Sequence, residues 1–232
     1  DAINSDLIRI TQRNLDSLGI FRSVQIDETY IDDNLLDIDI YVEEKSTGEF
    51  QIGLSFGTLE GATFISGLKE KNIAGLGREI DLTINTSDQN TKYNFALVEP
   101  YVFNDRVSFL YGISYEENDY SRSSSYNLNS FNTNAGFRYS LIEDLSHAIT
   151  LEYRLKEYKI TNSDNVSSDI EKLSGNNADI ILNNNLIFNQ LNSFLRPTKG
   201  SFIQYENELS PTTNSDNGYI KNTVIHKKYI KF

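Results

Sequence analysis

From residue 46 onward the sequence alternates apolar and polar residues in long runs, and a period of two held this long admits little besides β-strand with two different faces. In 107–115, Val107, Phe109, Tyr111, Ile113 and Tyr115 share one face, with Ser108, Leu110, Gly112 and Ser114 between them. In 131–141, Phe131, Thr133, Ala135, Phe137, Tyr139 and Leu141 oppose Asn132, Asn134, Gly136, Arg138 and Ser140. In 149–156, Ile149, Leu151, Tyr153 and Leu155 oppose Thr150, Glu152, Arg154 and Lys156. The pattern predicts ten strands, at 49–59, 62–71, 78–86, 92–100, 106–116, 128–141, 146–160, 178–189, 200–209 and 219–230. Half-apolar runs of about 9–11 residues are what a tilted strand needs to cross a bilayer. The separators are tight at 60–61, 104–105 and 143–144 and longer and rich in Asn and Ser at 118–127 and 161–177. Short turns at one end and long loops at the other are the habit of outer-membrane barrels. No helix-forming pattern follows residue 46.

A soluble β-sandwich also alternates. Three features favour a membrane barrel. The runs exceed the roughly 5–6 residues usual for soluble strands. The polar face carries charges and amides on strand after strand. Tyr93, Tyr101, Phe103, Tyr115, Tyr120 and Tyr158 recur near strand ends, as an interfacial aromatic girdle would.

Residues 1–45 read differently. Ser5 suits an N-cap and Asp6 the positive end of a helix dipole. Leu7, Ile8, Leu15 and Leu18 form an amphipathic face, and Gly19 is a C′ stop. Strands are expected at 21–30 and 35–42, joined by a turn at Asp32, Asp33 and Asn34. A helix and two strands are too little for an independent core.

Composition narrows the function. The 232 residues carry 21 Lys plus Arg against 33 Asp plus Glu, a formal charge of −12, which repels rather than attracts nucleic acid. With no Cys there is no disulfide framework or thiolate zinc site. No run approaches the roughly 18 apolar residues of a membrane helix. The sequence begins at Asp1 and holds no Met, which points to a processed or excised piece of a longer chain.

Sites of chemistry are scarce. Glu43-Glu44, Glu116-Glu117 and the pair Glu206 and Glu208 lack any nucleophile–base partner and read as solvated charge. Asp164, Asp169 and Asp179 lack the spacing of a calcium loop. His147, at a strand start, and His226 have no evident partner. Gly75-Leu76-Gly77 is no phosphate loop, since no helix follows it. No catalytic residue, metal or cofactor is expected.

The join Val42-Glu43-Glu44-Lys45-Ser46-Thr47-Gly48-Glu49-Phe50-Gln51-Ile52-Gly53 resembles the passage from the last POTRA domain into the first barrel strand of BamA-type assembly factors, in the outer-membrane-protein insertase superfamily. Leu15 to Val24, with Gly19 and Phe21, resembles the POTRA turn that leaves the second helix. Gly61, the Asn72-Ile73-Ala74-Gly75-Leu76-Gly77 turn, Glu99-Pro100-Tyr101-Val102-Phe103 and Arg196-Pro197-Thr198-Lys199-Gly200-Ser201 match further hairpin and strand-entry motifs of that family. Five weak motifs stand in the family's order along nearly the whole chain.

The resemblance implies a mainly β fold: an antiparallel transmembrane β-barrel with about ten of sixteen strands present, at 46–232, preceded by a partial α/β POTRA domain at 1–45. It implies a place in the bacterial outer membrane with the POTRA segment in the periplasm. It also implies a non-enzymatic role in inserting β-barrel proteins. The implied partners are nascent outer-membrane proteins, accessory lipoproteins and outer-membrane lipid. The implied working element is the first barrel strand, a lateral gate at which Phe50, Gln51, Ile52, Gly53, Leu54, Ser55, Phe56, Gly57 and Thr58 pair with a client strand. Gly53 and Gly57 are expected to weaken that strand, or else to permit curvature. A TamA-like or two-partner-secretion translocation barrel, or a passive pore, is the alternative. Two departures stand out. The family's Val-Arg-Gly-Phe loop is missing, and Phe232 reads as an accident of the cut rather than a finished C-terminus.

Overall fold

The computed structural model describes residues 5–32, 35–58, 60–104, 106–142, 144–193, 196–211 and 218–230. Asp33, Asn34, Leu59, Asp105, Glu143 and Phe232, assigned above to turns, a strand end and the terminus, lie outside them. So do the side chains of Ser5, Asp6 and Asp32.

The first unit is a helix α1 (Ser5–Ser17) and two antiparallel strands, β1 (Phe21–Asp32) and β2 (Leu35–Glu44). Gly19 ends the helix with φ +69°. Val24, paired with Val42, is buried, and α1 lies against β1. Ile38 and Ile40 stay about half exposed.

The rest is one ten-stranded sheet: β3 (Glu49–Gly57), β4 (Gly61–Ile73), β5 (Arg78–Thr86), β6 (Asn90–Glu99), β7 (Val107–Asp119), β8 (Tyr126–Ile142), β9 (Leu145–Ile160), β10 (Gly175–Asn189), β11 (Gly200–Ser210) and β12 (Tyr219–Tyr229). Every strand pairs antiparallel with its sequence neighbours, and the sheet is not closed: β3 and β12 are its two edges. All ten expected strands are present. Their bounds shift by a few residues: β8 begins at Tyr126 and β10 at Gly175, before the expected 128 and 178, whereas β3 stops at Gly57 rather than 59. Two short helices also interrupt the expected all-strand region, α2 (Ser121–Ser124) and α3 (Ser168–Lys172). Helix α3 is started by the Ser167 hydroxyl, which accepts from the Ile170 N–H. Four or five residues are too few to print a helical period in the sequence.

The connections at 58–60, 87–89, 120–125, 161–174 and 211–218 share one end of the meander, and 74–77, 100–106, 143–144 and 190–199 share the other. The expected contrast in length is therefore partial, because tight and long connections occur at both ends. The turns obey local chemistry. In 190–199 the Asn192 carboxamide oxygen accepts from the N–H groups of Thr198 and Lys199, at 3.0 and 2.9 Å. Gly200 leaves that loop at φ +117°, where a Cβ would overlap the Gln190 carbonyl.

The register sorts side chains onto two faces. One row runs Phe50, Leu68, Leu82, Phe95, Ile113, Thr133, Tyr153 and Ile180 through successive strands. This face is apolar yet open, and among the described residues the only fully buried large side chain is Ile181. Soluble domains bury such a surface under a second layer, and none of the described residues forms one here. The opposite face is polar and ion-paired. No helix of the described residues is long and apolar enough to cross a membrane.

Candidate functional site

Among the described residues strand β3 bonds to β4 alone, in unbroken register from Glu49 opposite Lys69 to Gly57 opposite Gly61. On its other edge no described residue pairs with its backbone N–H and C=O groups. Phe50, Ile52, Leu54 and Phe56 project onto the apolar face with 69, 60, 82 and 84% of their surface exposed. Gln51, Gly53, Ser55 and Gly57 alternate onto the polar face, and Thr58 begins the turn. A Cβ on Gly53 would sit 3.7 Å from the Ile65 Cβ, and one on Gly57 4.0 Å from the Glu60 nitrogen. Neither glycine is required by crowding.

The family-motif residues make turns and anchor the start of β3. Asn72 Oδ1 accepts from the Gly77 N–H at 2.7 Å, closing a turn in which Ala74 and Gly75 take φ of 58° and 73°. Pro100 Cγ lies 3.5 Å from where a Cβ on Gly77 would stand, and Tyr101 adopts φ +60°. Arg78 Nε meets Glu99 Oε2 at 2.5 Å. Glu70, which no sequence motif marked, ties this cluster to the linker. Its carboxylate accepts from the Thr47 hydroxyl and, at 2.8 Å, from the Asn72 N–H, and Gly48 lies beside it. Gly61 stands at the opposite end, beside Asp88. Pro197 belongs to the 190–199 connection and Gly200 opens β11, while Gly19 and Phe21 belong to the first unit.

On the polar face Arg154 bridges Glu152 at 2.8 Å and Glu208 at 3.8 Å. Asn183 donates to Glu152 at 3.2 Å, Tyr219 donates to Glu208, and Lys221 approaches Glu208 at 4.0 Å. Lys69–Glu79 and Lys92–Glu116 add pairs at 2.7 and 3.5 Å. Of the acidic residues singled out in sequence, Glu116 and Glu208 thus serve as charge partners, while Glu117 and Glu206 accept from Tyr115 and Gln204. Among the described residues no group of three or more His, Asp or Glu is placed to hold a metal ion.

A row of amides interrupts the apolar face. Asn184, Asn207 and Asn222 stand side by side on β10, β11 and β12. Asn184 donates to Asn207 at 3.5 Å, Asn207 to Asn222 at 2.9 Å, and Tyr205 to Asn222 at 2.8 Å. The girdle expectation also needs correction. Tyr158 stacks with Tyr126 and Tyr126 with Tyr120 at one end of the sheet, and the register puts Tyr158 on the same face as Arg154, away from Leu155. Phe103 does join the apolar face, against Phe137.

A one-layer antiparallel meander, apolar and exposed on one side and charged on the other, is the wall of a membrane-type β-barrel. The chain belongs to the Omp85 superfamily, whose domain model matches residues 72–232. It is 20% identical over 86% of its length to the outer membrane protein assembly factor BamA of Neorickettsia risticii, covering 27% of that protein. It is 23% identical over 88% of its length to the sorting and assembly machinery component 50 homolog of Bos taurus, covering 44% of it. The crystal structure of BamA from Haemophilus ducreyi lacking POTRA domains 1–3 shares its fold, with a TM-score of 0.66 at 20% identity over 95% of this chain and 44% of that one. The chain thus spans less than half the length of these relatives.

Proposed function

We propose that this chain is the entry portion of an outer-membrane insertase, and that client β-strands are templated on β3. The observation that carries the reading is the state of β3: one partner strand, one open edge, and four large apolar side chains directed into the surface that lipid would cover. In hydrocarbon an unpaired strand edge is costly, so an incoming strand that satisfies it is favoured. The backbone bonds supply affinity without demanding a client sequence. Family membership and the likeness to assembly factors support the same reading. On it, residues 46–232 form part of an outer-membrane barrel and residues 1–45 the end of a POTRA domain in the periplasm. Nascent outer-membrane proteins, accessory lipoproteins and lipid are the partners. No residue acts as a catalyst.

Cysteines placed singly at 50–58 in the full-length protein, with a client stalled during assembly, test this. Disulfide capture of the client's C-terminal strand at alternating β3 positions is the expected result. Capture only at polar-face positions such as Thr150 or Asn183 would instead indicate polypeptide passing along the lumen, as in a translocation barrel. Capture at neither sinks the gate.

A further inference from the structure

The apolar face is not uniform. Across β4 to β8 it folds into a recess of about 490 Å3, open to the surface. Ser66, Leu68, Ile84, Phe95, Tyr93 and Tyr115 are among the side chains that form it. The recess lies between two neighbouring rows of side chains, and at its β4 end stands a small one, Ser66, among larger row neighbours. The register places Ser66 beside Ile52 on one side and Ile84 on the other, and the row continues through Tyr93 and Tyr115. Both tyrosines sit toward the strand ends that lead into the 87–89 and 120–125 connections. The Tyr115 hydroxyl is engaged, donating to Glu117 at 2.8 Å.

We propose that this recess is a binding site for one acyl chain of a bilayer phospholipid. The inference rests on the membrane reading given above, because that reading makes hydrocarbon the medium in contact with this face. The volume is in the range of small-molecule sites, and the walls are aliphatic and aromatic. An unfilled recess would forfeit dispersion contacts along its whole lining, and a linear alkyl chain restores them without needing a polar partner. At the tyrosine end amphipathic rings meet the headgroup level, where Tyr is at home. The chain therefore runs inward from that end, held more tightly than the lipid that covers the flat remainder of the face.

The test uses the full-length protein in vesicles of phosphatidylcholine carrying a photoreactive diazirine on one acyl chain. Labelled peptides are mapped twice. The first map is made in the vesicles, and the second after transfer to a bile-salt detergent, which has no linear alkyl chain to compete. Before transfer, label is expected across the apolar face, including Ile203 on β11 outside the recess. After transfer, about one lipid per protein should remain, with label confined to the recess. Ser66→Phe, and separately the milder Ser66→Leu, should lower the retained lipid about tenfold while label at Ile203 before transfer is unchanged. Heat-dependent gel migration identifies which variants are folded, so either one can carry the test. Label over the whole face before transfer with none retained afterwards overturns the site and leaves the membrane reading standing. Retention unchanged by both folded variants also overturns the site. No label on the apolar face at any stage overturns the site and the membrane reading together.

Discussion

The hairpins β3–β4 and β8–β9 belong to one sheet and use the same ladder, yet they are built for opposite ends. Strands β8 and β9 run for 17 and 16 residues and are paired on both sides. Strand β3 runs for nine residues, with β4 as its only partner. Glycine shows the contrast best. At Gly136 in β8 a Cβ would overlap the Ile149 carbonyl and crowd Thr150, so backbone approach dictates the residue. At Gly53 in β3 there is room for a methyl group. The first glycine lets two strands come close. The second leaves a strand loosely held where nothing steric asks for it.

The largest expected effect breaks the centre. Gly136→Val forces backbone of β9 aside and should cost about 1–3 kcal/mol or more. The readout is the urea midpoint for loss of the heat-modifiable gel band. If it matches wild type, the close approach is not tight and the contrast collapses. Next comes the asparagine row. Asn207→Leu strands Asn184 and leaves Asn222 with Tyr205 alone on the apolar face, and should cost about 1–2 kcal/mol by the same measurement. Replacing all three by Leu together with Tyr205→Phe should be neutral or stabilising, since every member of the hydrogen-bonded set is then removed. A single variant milder than the combined one would show that the three amides are not a unit. The smallest effect sharpens the edge. Gly53→Ala should raise stability by roughly 0.5–1 kcal/mol, because alanine loses less freedom on ordering, and should slow client assembly in reconstituted vesicles. A stabilised strand with undiminished assembly would separate β3's weakness from its use.

Period-two alternation made the ten strands legible because it is written into each strand by itself. It lost only the outermost residues of β8 and β9, where Asn127 still pairs with Lys159 and Ile142 with Leu145 beyond the expected bounds. Motif residues such as Asn72 and Gly77 were legible as turn chemistry, since their partners lie within a few residues. What sequence did not yield depends on register. Asn184, Asn207 and Asn222 become neighbours only when three strands are aligned, and Gly136 meets Ile149 across a hairpin. Glu70 escaped notice because Thr47 reaches it from the linker on the far side of β3.

That contact from Thr47 completes the hold on β3. The strand is joined to β4 by its hairpin turn at the Gly57 end, and at the Glu49 end the linker is tied by Thr47 to Glu70. With both ends of one edge fixed in a single register, a strand added at the opposite edge would meet a template that cannot slide.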